Sequence, residues 1–500
     1  MTVYSFNQGI GWASSGVEYA QAYRAKIFAE LKVDAKFIFT DLILNENLQT
    51  LTSNIGFLDE QVIWLYQYFT DIKIAPSSYT LAQLKQSLRY EKRNGQFEKV
   101  NDQIVRLRFP DENKYATVYL KKQTKDIVDR VEYVSNNYLI RKDYFTYTKL
   151  MTEYYAPFEN KATAYLRRFY NEDGSIAYEQ IIGKGQTLYR FKDRVLYSKN
   201  EFIAYFIQQL KLTENDILLI DRATELGQAA FVNHAPAKLG VVIHAEHFSE
   251  NVTDDDYILW NNYYEYQFDN VKEVDFFITA TEKQKELLQA QFKKYRGFVP
   301  KIYAIPVGSI EKLKYPTKAR KPYSLITASR LATEKHIDLL IEAVVLAKQK
   351  FKKLTFDIYG EGGERNKLEE LIKKYDASDY IKLKGHHDLS DIYQDYEAYI
   401  TASLSEGFGL TLMEAVGSGL CMIGFDVRYG NQTFILNGEN GYLLENDKEN
   451  RVLLLQEALE KLFEKVALDD FHATSYELAR GFLTSEVKNK WQRLLQDEKG

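Results

Sequence analysis

The chain opens with a strand-like run, Thr2 to Phe6, a loop from Gly9 to Gly16, and a stretch of helical period, VEYAQAYRAKIFAEL. KFIFTDLIL and VIWLYQYF follow as further apolar strand candidates. Short apolar strands alternating with helices predict a parallel, doubly wound sheet. From about Ser77 to Lys199 the pattern changes to a period of two. VRLRF, YATVYLKK, YFTYTKLMTEYYA and AYLRRFYNEDGSIAYEQII alternate, with Tyr and Thr abundant. Successive strand side chains point to opposite faces, so this period predicts strands. The run Asn171-Glu172-Asp173-Gly174-Ser175 reads as a hairpin turn, with Gly174 supplying a positive φ. The segment is therefore predicted to be an antiparallel sheet inserted into the first α/β domain. Its aromatic content suits a protein-binding surface, and a plain stabilising insertion stands equally open.

The α/β pattern resumes near Glu201. EFIAYFIQQLKL reads as helix, and ILLIDRA, VVIHAEHF and FFITAT as strands. After IYAIPVGSI comes a basic, Pro-containing stretch, KLKYPTKARKP, which reads as a linker over 309–322. SLITASR, LTFDIYGEG, IKLKGH, YITASL and CMIGFD then form a second set of buried strands with helices between them. The last helix, EVKNKWQRLLQ, is amphipathic and is expected to pack back toward the first domain. The expected organisation is an N-terminal Rossmann-like domain over 1–76 plus 200–308, an inserted β domain over 77–199, a C-terminal Rossmann-like domain over 309–485, and the terminal helix over 486–500.

Composition narrows the classes. The 500 residues carry a net charge of −5, which argues against a dedicated nucleic-acid binder. A chain with 45% hydrophobic and 27% charged residues has the balance of a soluble globular protein, not of a disordered or collagen-like one. The one cysteine, Cys421, excludes an intramolecular disulfide framework and a Cys-based zinc site. The N-terminus lacks the features of a signal peptide, and no uncharged apolar run approaches the ~18 residues of a membrane span. The expected compartment is the cytosol, with peripheral membrane contact left open.

In open α/β sheets, ligands bind at the loops that follow the carboxyl ends of strands. The Gly9–Gly16 loop stands at such a point. Its spacing departs from the dinucleotide fingerprint, so a tight turn before a helix and a close approach to phosphate or sugar both remain open. The run Ser329 to His336 follows the strand SLITA. Its Arg330 and Lys335 suit a diphosphate, Arg330 as a planar fork and Lys335 as a point charge; a solvated surface pair is the alternative, which the position between a buried strand and a helix weakens. The run Ser405-Glu406-Gly407-Phe408-Gly409-Leu410-Thr411-Leu412-Met413-Glu414-Ala415 follows the strand YITASL. Its glycines allow a tight loop, the helix that starts near Leu410 offers backbone donors, and Glu406 and Glu414 can meet a sugar and a ribose from one element. In HAEHFSE, His244 reads as a substrate-side hydrogen-bonding group, and His247 reads as that or as a structural histidine. Asp254-Asp255-Asp256 lies in a polar stretch and reads as a solvated loop rather than a metal clamp. No GxSxG or Walker A pattern occurs.

SRLATEKHIDLLIEA paired with SEGFGLTLMEAVGSGL resembles the retaining glycosyltransferases of family four, which have the GT-B fold. With GIGWASSGVEYAQAYRAK, the β insertion and HAEHFSE, the whole chain resembles the catalytic subunits of bacterial O-GlcNAc transferase complexes that modify serine-rich repeat adhesins before accessory Sec export. The resemblance implies two Rossmann-like domains facing a cleft that holds UDP-GlcNAc, which is a substrate and not a cofactor. It places Glu414 on the ribose, Glu406 on sugar hydroxyls, and Arg330 and Lys335 on the diphosphate. It further implies backbone amides near Phe408, Gly409, Leu410 and Thr411 on sugar or phosphate, Gly16 in the N-domain glycine loop, His244 on the substrate side, and no metal. The implied partners are a serine-rich acceptor protein and a chaperone-like co-subunit of related fold bound through the β insertion. Two other readings stand beside this one: a transferase acting on teichoic acid or another cell-wall acceptor, and a non-catalytic, chaperone-like subunit of the same fold.

Overall fold

The computed structural model describes residues 1–12, 15–122, 124–464 and 468–499, so Ala13 and Ser14 of the glycine loop lie outside the described residues. The chain divides into two compact units, one of 1–240 with 272–274 and the other of 241–271 with 275–499.

In the first unit the strand Thr2–Asn7 pairs in parallel with Ile217–Ile220 on one side and Asp34–Phe39 on the other. Val62–Trp64 adds beyond Asp34–Phe39. The two apolar runs read as strands hold shorter strands than their patterns suggest. Asp41–Leu44 is not strand, and VIWLYQYF turns after Trp64 into the helical turn Leu65–Tyr68. Tertiary packing accounts for the turn. Tyr178 Oη donates to the Tyr66 carbonyl at 2.6 Å, and the Tyr66 ring packs between Phe169 and Phe202 at 5.8 and 5.6 Å. Aromatic side chains from later in the sequence thus draw residue 66 out of the strand path.

The helix Gly16–Glu30 starts from a complete capping box. Ser15 Oγ accepts the Val17 N–H, and Glu18 Oε2 accepts the Ser15 N–H at 2.6 Å. Beneath it lies a buried polar network. Asn7 Nδ2 donates to Glu18 and Gln21, Gln21 donates to Asp221, and Arg24 forms a two-pronged ion pair with Asp221 at 2.8 and 3.0 Å. The Arg24 and Asp221 side chains are 3% and 0% exposed, so each charge relies on the other for compensation.

The first unit also contains a ten-stranded antiparallel meander from Gln96–Lys99 to Val195–Leu196, in which each strand pairs with its sequence neighbour. The hairpin at 171–175 forms as its residues predict. Gly174 has φ +81°, and the Asn171 N–H meets the Ser175 carbonyl at 2.9 Å. Leu107, Ala116, Val118, Val128 and Val131 build a core over which Leu84, from the helix Leu81–Ser87, also packs. On the partly exposed positions, Arg130 stacks on Tyr119 at 3.9 Å and Arg141 on Tyr133 at 4.1 Å.

The second unit is built on a six-stranded parallel sheet. Its order is Ile381–Gly385, Thr355–Tyr359, Ser324–Ala328, Ala398–Ile400, Cys421–Phe425, Gly441–Leu444. Numbered along the chain this is 3-2-1-4-5-6, the dinucleotide-fold order, whose direction reverses between the strands Ser324–Ala328 and Ala398–Ile400. The last strand is not announced by the apolar pattern. It docks because Gly441 lies against the Met422 carbonyl, where a Cβ would fall at 1.7 Å. Outside this sheet, Phe276–Thr279 pairs in parallel with Ile302–Ala304. The helix Thr484–Asp497 buries Val487, Trp491, Leu494 and Leu495, and Glu498 just after it takes Lys301 Nζ and Tyr303 Oη at 2.8 and 2.7 Å. Among the described residues, no helix is long and apolar enough to cross a membrane.

Replacing Asp221 with Ala should strand the Arg24 guanidinium in the interior. The expected loss is about 3–5 kcal/mol, the usual range for breaking a buried pair from one side. It should appear as a lower urea midpoint with an unchanged denaturant slope. A loss under about 1 kcal/mol, the level of an exposed pair, would contradict the buried-network reading.

Candidate active site

The strand Ser324–Ala328 and the strand Ala398–Ile400 flank the reversal of strand order, so the loops that follow them diverge and leave a crevice at their carboxyl ends. Those two loops carry Arg330 and Lys335, and Glu406 to Thr411.

The Glu406 loop is fixed by its backbone. The Glu406 N–H donates to the Arg428 carbonyl at 3.1 Å, and the Glu406 carbonyl accepts from the Tyr429 and Gly430 N–H groups at 2.7 and 2.8 Å. Two glycines make the close packing feasible. A Cβ on Gly430 would fall 2.2 Å from the Phe408 carbonyl oxygen, and one on Gly407 would fall 2.7 Å from the His244 carbonyl oxygen. Gly409 takes φ +85°, a left-handed conformation, and the helix Leu410–Gly417 starts immediately after it. The Phe408 ring is buried against Phe434 and Phe482 at 5.2 and 6.0 Å, so its side chain anchors the loop in the core. Thr411 Oγ1 lies 2.9 Å from Tyr399 Oη, which donates to the Ala328 carbonyl at 3.0 Å. The first turn of the helix is thereby tied to the end of the strand Ser324–Ala328.

Lys335 ends the short turn Thr333–Lys335, after which His336 takes φ +46° and the helix Ile337–Lys348 begins. Its Nζ donates to Glu406 Oε2 at 2.7 Å, joining the two loops. The two side chains are 19% and 23% exposed, sheltered enough to interact strongly and open enough to meet a ligand. Arg330 is not part of this pair. Its guanidinium meets Glu334 at 3.1 Å with the side chain 74% exposed, so it needs a rotamer change to face Lys335. The Arg330 backbone is held by the GEG turn, where a Cβ on Gly360 would fall 1.9 Å from the Ser329 carbonyl oxygen.

Glu414 is half-buried on the helix Leu410–Gly417 and accepts the Tyr393 hydroxyl at 3.2 Å. Burial pushes its carboxyl up to about 7; the Tyr393 hydrogen bond opposes this and the charge of Asp388 adds to it. Near neutral pH this group is therefore poised between its two forms.

The His244 segment lies in the same compact unit. The His244 and Ala245 N–H groups both donate to Tyr264 Oη at 3.0 Å. His247 is fully buried, 2.6 Å from Gln291 Oε1 and 3.0 Å from Tyr429 Oη. Burial holds its imidazole down at about 4, so it is neutral and structural. Tyr429 Oη also donates to Glu246 at 2.6 Å, and Arg428 pairs with Glu250. Gly16 belongs to the other unit, where it opens the helix Gly16–Glu30; a Cβ there would meet nothing within 4 Å. At 254–256, Asp254 accepts two backbone N–H groups of its own loop and Asp255 pairs with Lys294 at 2.8 Å. Among the described residues, no group of three His, Cys, Asp or Glu side chains is arranged to hold a metal.

The motifs did not point to Tyr393, Arg428, Tyr429 or Gly430. One signal was present. The sequence FDVRYGN follows the carboxyl end of the strand Cys421–Phe425, where the same strand-end rule applies.

Rossmann-type parallel strands, an antiparallel insertion and a Lys–Glu pair at the strand-order reversal define a glycosyltransferase of the GT-B fold. The family model "Glycosyl transferases group 1" matches residues 309–468, and "GtfA extended beta-sheet domain" matches 96–193. The chain belongs to the GtfA subunit family of UDP-N-acetylglucosamine–peptide N-acetylglucosaminyltransferases. It is 55% identical to the Streptococcus gordonii member over 502 residues, covering 99% of each chain. The crystal structure of the pneumococcal O-GlcNAc transferase GtfA in complex with UDP and GlcNAc is similar at 52% identity and a TM-score of 0.92, covering 100% of this chain and 99% of that one. A crystal structure of a GtfA/B complex is similar at 54% identity and a TM-score of 0.95, covering 100% of both chains.

The raised Glu414 carboxyl has a stability consequence. Its folded value, about 7, lies above the roughly 4.3 of an unfolded Glu. The folded state then binds the extra proton between these values. Its stabilising contribution is complete below about pH 4.3 and is lost as pH rises toward 7. The ligand-free protein should therefore lose more thermal stability between pH 5 and 8 than Glu414→Gln does. Equal pH slopes in the two proteins would show that Glu414 is ionised throughout.

Proposed function

We propose that this chain transfers GlcNAc from UDP-GlcNAc to Ser and Thr hydroxyls of a serine-rich repeat adhesin in the cytosol, before export, with retention of configuration. The observation that carries the reading is the Lys335–Glu406 pair at the strand-order reversal, in a chain that matches a peptide N-acetylglucosaminyltransferase subunit over its whole length. Lys335 and a reoriented Arg330 offset the charge that develops on the UDP diphosphate as the glycosidic bond breaks. Electrostatic stabilisation of developing charge is usually the largest single contribution to an enzyme's rate enhancement. Glu406 accepts sugar hydroxyls, Glu414 accepts ribose hydroxyls, and the backbone N–H groups from Phe408 to Thr411 meet sugar or phosphate. His244 stands on the substrate side, and Gly16 lies in the glycine loop. The acceptor hydroxyl attacks from the face that UDP leaves, which retains the anomeric configuration. The cations take the charge role of a metal in this scheme, so transfer should proceed in EDTA.

The donor chemistry bears on the alternatives. A non-catalytic subunit has no need of Arg330, Lys335, Glu406 and Glu414, and this chain retains all four. A cell-wall acceptor would use the same donor site; the full-length likeness to a peptide transferase favours a protein acceptor. The ten-stranded sheet carries exposed Tyr138, Ile140, Phe158, Tyr165 and Ile176. A relative of 54% identity crystallised as a GtfA/B complex, and the sheet is the surface we assign to a chaperone-like co-subunit of related fold. Peripheral contact with the inner face of the membrane fits the same assembly.

Intact mass should report a gain when the protein, with and without the co-subunit, meets a Ser/Thr-rich acceptor and UDP-GlcNAc in EDTA, and none with UDP-glucose. Lys335→Ala and Glu406→Gln should each lower the rate about 10²–10³-fold, the usual cost of removing one charge-stabilising group. Their unfolding midpoints should stay near that of the unsubstituted protein. Full activity in either variant contradicts the site assignment. No gain with either donor, in folded protein with its partner, shifts the reading to a cell-wall acceptor or a binding role.

A further inference from the structure

Tyr429 holds two segments at once. Its backbone N–H donates to the Glu406 carbonyl, next to the bond from the Glu406 N–H to the Arg428 carbonyl. Its side chain, 1% exposed, reaches the His244 segment, where Oη donates to Glu246 Oε1 at 2.6 Å. The Tyr429 ring lies nearly parallel to that of His247, with centroids 5.9 Å apart and planes 12° from each other. His247 is anchored in turn through Nε2, 2.6 Å from Gln291 on the helix Glu282–Arg296. Arg428 adds a second grip. Its guanidinium pairs with Glu250, lies 3.8 Å from Glu246 and sits over the Phe248 ring at 5.0 Å. At the centre, Gly407 lets the His244 carbonyl approach to where a Cβ would fall at 2.7 Å. The chain beside Glu406 and the chain at His244 are thus in direct backbone contact, closed from the far side by residues 428 and 429.

We propose that Arg428, Tyr429 and Glu246 form a clasp that fixes the Glu406 carboxylate relative to His244, with Tyr429 and Glu246 acting as positioning residues for glycosyl transfer. This rests on the proposed function, in which Glu406 accepts sugar hydroxyls and His244 stands on the substrate side. Tyr429 acts on that pair through the backbone of one and the chain neighbours of the other. A displacement of about 1 Å in a reacting constellation can cost on the order of 10²-fold in rate. Two loops held by a shared phenol are open to a displacement of this kind once the phenol is lost. The clasp also gives a role to Glu246 and His247, which follow His244 in HAEHFSE and have no part in the donor chemistry.

Tyr429→Phe keeps the ring and removes the hydroxyl. Its kcat should fall about tenfold at saturating UDP-GlcNAc, while the UDP affinity read by calorimetry changes less than about twofold and the unfolding midpoint is retained. Glu246→Ala should lower kcat similarly. The double variant should be no slower than the slower single one, because both substitutions remove the same contact. An unchanged kcat in Tyr429→Phe, or effects that multiply in the double variant, overturns the clasp. Hydrogen exchange separates this from failure of the functional reading, since it needs no turnover. In Tyr429→Phe the amides of 244–250 and 404–411 should exchange faster together. If they do so in a protein that transfers no GlcNAc, the clasp stands and the activity assignment falls. If exchange is unchanged in both segments, the clasp falls whatever the activity.

Discussion

The site depends on one topological constraint, the reversal of strand order between Ser324–Ala328 and Ala398–Ile400. Neighbouring parallel strands whose crossovers leave in opposite directions cannot both cover the space at their carboxyl ends. The opening is therefore a consequence of the sheet and does not rely on any one side chain. What the side chains add is its chemistry. Lys335 arrives from one loop and Glu406 from the other, and their 2.7 Å ion pair bridges the gap that the sheet leaves.

Such a pair is useful only if its parts are held still, and here the holding is done by backbone. Glu406 is bonded at both its N–H and its carbonyl to 428–430. Gly407 and Gly430 let main chains meet where any Cβ would collide. The GEG turn does the same under Ser329. The glycines of this region thus act less as sources of flexibility than as the absence of atoms, which permits tight packing beside a ligand space. The Phe408 ring completes the arrangement by anchoring the loop in the core.

The first unit uses different physics for a similar end. The helix after its glycine loop starts on Ser15 and Glu18, and Glu18 is tied through Asn7, Gln21 and Asp221 to Arg24. A buried polar network of this kind is costly unless every member is paired, so it specifies one position for the start of the helix. The meander beside it has an opposite design. Its one face is an apolar core, and its partly exposed Tyr and Arg stack on one another.

Much of the fold was legible in the chain because local patterning reports burial. Apolar strands between helices announced the parallel sheets, period-two alternation announced the meander, and Asn171 to Ser175 announced its hairpin. Glu406, Glu414 and Lys335 stood out as candidates for the same reason, since each lies in the loop after a buried strand or on the helix that follows it. The sequence could not show that VIWLYQYF breaks after Trp64, because the cause is an aromatic contact with Tyr178, Phe169 and Phe202, far along the chain. Nor could it show that Arg330 turns to Glu334 while Lys335 turns to Glu406, a choice made by packing and rotamers. It left His247 undecided between ligand and scaffold, and only the fold placed Gln291 and Tyr429 on either side of its ring. Which elements form follows from local period and so was written in residue order, and the strand-end spacing marked Lys335, Glu406 and Glu414 as candidates in the same way. What holds those residues in place was settled only on folding, because Tyr429 and Glu246 lie far apart in the chain and meet only then.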